Sequence, residues 1–564
     1  MKFVPFNHGI PAASDRGGGN DYRQGAFWVC AIGLAVLAVD YPVVGFEFLN
    51  YDDPINVNEN LLITNFSLDS LRSFWGGYIN DLYIPIVYTF WGILSLLAQL
   101  MPVSPGALNP LPFHLANLGL HMASALLVFR LLRRLGCIPQ AAAVGSLFFA
   151  LHPLQVEAVA WVTGLKDLLS GLLALLTIHC YLRHIQRNQE GKGNTGGWRD
   201  YCLACCFFML ALLAKPTAVT VPLLAGVLGY FCTGQPFRKL ARELLPMLAL
   251  ALVFAVVTIA GQPEGAVPYT LNMWQRTLVA ADALSFYVGK MFWPGALGPD
   301  YGRIPLLILD NPWAFLALFV PVLLGVAIYL GRGKRWFPAG LLIFVVALLP
   351  VLGFLPFTFQ KISTVADRYL YLALLGPALL VAKGWELAPW RTVRLVSLML
   401  LAGLASKSAM QVRGWQDSFT FNRLALEVNP ASINSYNNLG SALEHAGDLQ
   451  EAQQVYLRAV NFAPNNSDIY HNLGSVCAQS GLHQEAILHL EKALQLGSSR
   501  RTDTHMHLGD AYRKMGNIPA ARYNYQQALS NASIEQYGDD EIAFINMAPN
   551  ETQPVLPEHE KDRR

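Results

Sequence analysis

Residues 151–183, LHPLQVEAVAWVTGLKDLLSGLLALLTIHCYLR, carry the decision about the fold of this chain. Between Asp167 and Arg183 no Asp, Glu, Lys or Arg interrupts the apolar run, which ends on arginine. Upstream, His152-Pro153 and Glu157 break into another apolar run that starts near position 140. A bilayer core takes about 20 apolar residues per helix. The stretch therefore reads as the end of one membrane span, a short polar connection on one face, and a second span returning to a basic loop on the other.

The same pattern extends in both directions. Apolar runs at 25–46, 113–132, 140–158, 167–184, 200–214, 217–233, 244–261, 312–331, 337–356, 369–387 and 392–410 predict about eleven transmembrane helices. The composition agrees: of 564 residues, 53% are hydrophobic and 14% charged, where a soluble domain carries about a quarter charged. The shortage is confined to 25–410, whereas 411–564 has the make-up of a soluble helical domain. A formal net charge of +2 without a basic stripe excludes a nucleic-acid partner. The eight cysteines form no disulfide framework. Cys202-x-x-Cys205 resembles a redox motif, but it lies in the apolar run YCLACCFFML and reads as small hydrophobes of a membrane helix.

Basic residues set the orientation. With a cytoplasmic N-terminal segment, 1–24, the clusters Arg133-Arg134, Arg183 to Arg199, Arg238-Lys239-x-x-Arg242, Arg332-x-Lys334-Arg335 and Lys383 with Arg391 and Arg394 all fall inside. That parity requires the apolar stretches 84–101 and 276–293 not to cross, and they read as re-entrant or interfacial helices on the outer side. No clear A-x-A site follows the first run, so it reads as a span rather than a cleaved leader.

Beyond the last span the chain repeats itself. Tyr436-Asn437-Asn438-Leu439-Gly440 returns as Tyr470-His471-Asn472-Leu473-Gly474, 34 residues later, and as His505-Met506-His507-Leu508-Gly509. Each unit continues into a small-residue helix, with Ala452 and Ala459, Ala486 and Ala493, Ala521 and Ala528. This is the signature of tetratricopeptide repeats (TPR), helical hairpins that stack to bury a shared core. The half-repeat RGWQDSFTFNRLALEVNP precedes about three full units, so 411–534 is assigned to the repeats and the polar 535–564 to a disordered tail. The fold class predicted is all-α, a polytopic membrane domain followed by an α-solenoid. The solenoid groove suits an extended peptide; a structural cap or oligomer contact is the plainer alternative.

An odd number of spans puts the repeats and a set of polar loops on the same, outer side. Asp52-Asp53 follows the first span, and adjacent carboxylates are candidates for a general base. His152, Glu157, Lys166, Asp167, Lys215, Asp300, Arg303, Lys361 and Arg368 sit at outer boundaries of later spans. Cations there suit a lipid phosphate, and the positive-inside bias makes outer Lys and Arg less expected. Taken singly, each could be a snorkelling side chain or a structural ion pair.

Several segments together resemble a known family: YDDP at 51–54, PFHLANLGLH at 112–121, ALHPLQVEAVAWVTGLKDLLSG at 150–171, LLAKPTAVTVPLL at 212–224, PDYGR at 299–303, ADRYLYL at 366–372 and WQDSFTFNRLALEVNP at 415–430. The chain is similar to the transmembrane and tetratricopeptide-repeat (TMTC-like) glycosyltransferases of the GT-C superfold, related to protein O-mannosyltransferases, and resembles their bacterial relatives. The resemblance implies inverting transfer of a sugar from a polyprenyl-phosphate carrier on the extracytoplasmic side of a bacterial inner membrane, with the repeats in the periplasm or outside and a protein Ser/Thr hydroxyl as acceptor. It implies a base in the first outer loop, Asp52 ahead of Asp53. It implies a donor-phosphate site at Arg368, then Lys166, Lys215 and Lys361. Glu157 and Asp167 match family positions without an assigned role, and His152, Asp300 and Arg303 remain further candidates. No cofactor is expected beyond the lipid-linked sugar, and no metal, since no third ligand accompanies the Asp pair. Two alternatives stand beside this reading: a non-catalytic membrane scaffold presenting repeats for envelope or secretion assembly, and a related enzyme that modifies a glycan or lipid.

Overall fold

The computed structural model describes residues 20–104, 106–191, 196–262, 269–388 and 390–530. The expected tail, 535–564, and nearly all of the expected N-terminal segment, 1–24, lie outside the described residues. Among the described residues the chain is helical, and β pairing is confined to an isolated bridge between Ile79 and Leu82. They divide into two compact units that meet in sequence at Pro430 and Ala431.

In the first unit, six helices are long and apolar enough to cross a membrane: Arg23–Gly45, Leu111–Arg134, Val162–Gln189, Phe237–Ala260, Ala314–Gly333 and Arg391–Trp415. The bent pair Pro139–Leu151 and Pro153–Ala160 makes a seventh if it is one span. The other stretches expected to cross form shorter helices: Trp198–Ala214, Pro216–Phe231, Trp336–Val351 and Leu375–Leu387. The two stretches expected not to cross are also helices, Pro85–Gln99 and Met273–Phe292, and neither is among the six. Leu252, Val256, Phe319, Val322 and Met399 stand exposed on these helices, as the walls of a lipid-facing bundle do.

The opening motif is where the bundle breaks. Pro153 has no N–H and disfavours helical geometry at His152, whose ψ is 131°, so the chain bends by 50° there. It then runs through two short turns, Val156–Ala160 and Val162–Gly164, before the long helix Leu165–Gln189 begins. Each break exposes backbone carbonyls that lipid cannot satisfy, and side chains from distant motifs take them up. Asn117 donates to the Trp161 carbonyl at 2.7 Å, His121 meets the Ala150 carbonyl at 3.1 Å, and Ser408 donates to the Leu151 carbonyl at 2.7 Å. The PFHLANLGLH segment thus serves as the clamp that keeps the broken region rigid.

The helix Ser418–Val428, expected to begin the repeats, belongs to this first unit, which runs past the expected boundary at 410. Trp415, Phe421 and Ala425 are buried in it. The second unit comprises three hairpins: Ile433–His445 with Leu449–Phe462, Ser467–Gln479 with His483–Gln495, and Arg501–Lys514 with Ile518–Ser530. The repeated glycines are sites of close helix approach. A Cβ on Gly440 would lie 2.3 Å from the Tyr456 ring, and one on Gly474 would lie 2.5 Å from Leu490.

Candidate active site

The two aspartates of the first loop have different environments. Asp53 is fully buried, and its carboxylate accepts three hydrogen bonds: from the Leu49 N–H at 2.9 Å, the Thr163 N–H at 3.1 Å and the Thr163 hydroxyl at 2.6 Å. Burial pushes its pKa up to about 6 against the pull of those donors. Its oxygens are spent tying the loop to the broken helix. The Asp52 side chain is half-buried and has no hydrogen bond or ion pair among the described residues. Its backbone is held instead, with the Asp52 carbonyl accepting from the Asn56 side chain at 2.9 Å and from the Asn56 N–H at 3.1 Å.

Next to this loop three cations come together: Lys166 from the broken helix, Lys215 from the turn after Trp198–Ala214 and Arg368 from the ADRYLYL segment. Arg368 is buried and forms an ion pair with Glu157, whose other oxygen accepts the Arg368 backbone N–H at 2.8 Å. Its guanidinium carbon lies 4.4, 5.1 and 5.5 Å from the ring centres of Phe359, Tyr369 and Trp161. Lys215 pairs with Asp167 and lies 5.3 Å from the Tyr369 ring centre. Burial lowers the Lys215 pKa, and Asp167 opposes that shift. The Lys166 ammonium lies 5.2 Å over Trp161, has no hydrogen bond or ion pair among the described residues, and feels Asp52, Arg368 and Lys215 at once.

Arg368, Lys215, Asp167, Ser170 and Tyr369 line a cleft that encloses about 440 Å³, open solvent at its mouth included. Ala347, Val351 and Leu372 line it as well. The cleft therefore offers fixed cations beside an apolar wall, a suitable receptacle for a phosphate carried on a hydrocarbon chain.

The other predicted residues have structural partners or stand apart. His152 caps the turn after the bend, with Nδ1 accepting the Leu154 N–H at 3.3 Å and Nε2 3.1 Å from the Met291 carbonyl. Asp300 accepts the Gly302 N–H at 2.7 Å and the Asn429 amide at 3.0 Å. Arg303 grips Asp282 through two bonds, 3.1 and 2.5 Å long. Lys361 is exposed on a short turn and does not line the cleft.

Sequence reasoning missed the aromatic support. Trp161 stands at the centre of the site, with ring centres 5.5 Å from Tyr51 and 6.5 Å from Trp415, and with Lys166 and Arg368 over it. It also missed Asp367, buried and accepting the Tyr301 hydroxyl at 2.7 Å. Burial raises the Asp367 pKa and Glu157 raises it further. That bond joins the PDYGR and ADRYLYL segments in space. The available signal was their aromatic and charged content, which does not say who touches whom.

A helical membrane unit with an acid–cation cleft, followed by helical repeats, is the class this fold and site define. Comparisons with known proteins narrow it. The tetratricopeptide-repeat profile matches residues 431–499 and 465–534. The human protein O-mannosyl-transferase TMTC3 is 25% identical over 456 residues, covering 72% of this chain and 47% of its own. The Drosophila melanogaster protein O-mannosyl-transferase Tmtc1 is 24% identical over 510 residues, covering 71% and 57%. A solved structure, the crystal structure of MamA, aligns with 24% of this chain and 89% of its own at 18% identity and a TM-score of 0.21. The chain is thus a homologue of proteins named TMTC O-mannosyl-transferases, and it spans about half the length of the curated relatives it matches.

Proposed function

We propose that this chain is a glycosyltransferase that moves a sugar from a polyprenyl-phosphate carrier to a hydroxyl, a Ser or Thr of a protein, on the extracytoplasmic side of a membrane. The observation that carries the reading is a cleft lined by Lys215, Arg368 and apolar side chains, with Lys166 beside it in electrostatic reach of both cations and of an uncommitted carboxylate, Asp52. The names of the TMTC relatives support a sugar transferase.

The chemistry follows from the residues. The acceptor oxygen attacks the anomeric carbon of the sugar as Asp52 takes its proton. The bond from that carbon to the phosphate oxygen breaks, its electron pair stays on the phosphate, and the anomeric configuration inverts. Arg368, Lys215 and Lys166 stabilise the charge that develops on the departing phosphate. These fixed cations fill the part a metal would play, so transfer proceeds in the presence of a chelator. Glu157 and Asp167 hold Arg368 and Lys215 in place. Asp53 anchors the base loop and Trp161 supports the cations.

The test is transfer of radiolabelled mannose from polyprenyl-phosphate mannose to Ser/Thr peptides by the full-length protein, with Asp52→Asn and Arg368→Ala alongside. Transfer that depends on both residues supports the reading. Equal envelope-protein glycosylation in strains carrying wild type and both variants, with loss of phenotype only on changes in the repeats, would turn it toward a scaffold.

A further inference from the structure

The helix Ser418–Val428 leads into the repeats in sequence, yet it packs against the loop that carries Asp52. Its capping box is formed by Asp417 and Thr420, with the Thr420 N–H on the Asp417 carboxylate at 2.8 Å. From there the segment reaches the base loop at three places. The Glu47 N–H donates to the Gln416 carbonyl at 3.0 Å. The Asn50 N–H donates to the Ser418 hydroxyl at 2.9 Å. The Tyr51 ring centre lies 5.4 Å from that of Phe421. Phe421 also abuts Trp415 at 5.1 Å, and its far end is pinned where Asn429 donates to Asp300. Phe46, Leu49, Trp161, Trp415 and Phe421 form a small core of their own, separate from the main core of the bundle.

The amphipathic pattern of this helix suits a repeat, but Phe421 and Ala425 spend it inside the membrane unit. Asp52 follows directly after the two residues so held, and no side-chain bond of its own fixes its direction. Misplacing a catalytic group by about 1 Å costs up to about 10²-fold in rate. We propose that Ser418 and Phe421 are positioning residues for Asp52, so that the helix read as the first half-repeat is part of the catalytic unit. This rests on the assignment of Asp52 as base.

The experiment uses the full-length protein and measures turnover per donor-binding site, with polyprenyl-phosphate mannose as donor and a Ser/Thr peptide as acceptor. Phe421→Ala is expected to lower kcat by about 10- to 100-fold, with donor Kd and site number within about twofold of wild type. Ser418→Ala is expected to lower kcat by several-fold, and Ser418→Thr, which keeps the hydroxyl, to restore it. A merely structural role would lower kcat and donor-binding sites together, which overturns the proposal. So does an undiminished kcat in Phe421→Ala and Ser418→Ala. If Phe421→Ala does not fold, the Ser418 pair decides: equal turnover in Ala and Thr variants refutes the inference. Absence of transfer by wild type itself refutes the function proposed above instead.

Discussion

Replacing Asp52 and Asp53 one at a time by asparagine separates chemistry from scaffolding. Asp52 has no side-chain hydrogen bond or ion pair among the described residues to lose, only the charge that Lys166 feels, so Asp52→Asn should change stability by about 1 kcal/mol or less. Loss of a general base costs about 10²- to 10⁴-fold in rate, or about 3–5 kcal/mol of barrier. Asp53→Asn works the other way. The amide keeps one acceptor oxygen, and turned toward Thr163 it still serves both Thr163 donors. Its NH₂ then faces the Leu49 N–H, leaving that buried donor unmet at a cost of about 1–3 kcal/mol. Neutralising a carboxylate that burial already disfavours offsets part of this, so the lower half of that range is expected at pH 7. Thermal unfolding in detergent and transfer from polyprenyl-phosphate mannose read the two effects. A stable, inactive Asp53→Asn beside an active Asp52→Asn would reverse the assignment and refute the reasoning.

Stability should depend on pH through Asp53. Its folded pKa, about 6, lies above its ordinary 3.8, so the folded state binds the proton more tightly than the unfolded chain. Wild type therefore gains stability relative to Asp53→Asn as pH falls from 7 through 6 toward 4, by no more than about 3 kcal/mol, measured by denaturant melts across that range. Asp167→Asn should raise donor KM as Lys215 loses its partner, with a smaller change in kcat, read from steady-state kinetics. Gly474→Val should destabilise the repeats by about 1–3 kcal/mol or more, because its side chain collides with Leu490; hydrogen exchange over 467–495 reports it. Cysteines placed at Asn50 and at Ser441 should both react with an impermeant reagent from the outer side, and protection of both would reverse the orientation.

The helical class, the places of the apolar helices and the repeats were legible in the sequence because their signals are local. Apolar runs, proline breaks and a 34-residue period need only neighbouring residues to be read. The division of labour within the candidate site was not legible. Asp52 and Asp53 are equivalent as letters, and only packing shows that Asp53 is consumed by Leu49 and Thr163. Arg303 looked like Arg368 until Asp282 was seen to hold it away from the cleft.

By itself, then, the sequence determined a bundle of apolar helices with a polar side and a stack of hairpins after it, since burial in lipid and helical periodicity act residue by residue. Only the tertiary structure decided who meets whom. Tyr301 finds Asp367 across 66 residues, Glu157 finds Arg368 across 211, and Asn50 finds Ser418 across 368. Separations of that size leave no periodic trace. They are settled by which helix ends crowd together and which buried polar groups must find a partner there. That is why a helix with the pattern of a repeat came to rest against the loop of Asp52.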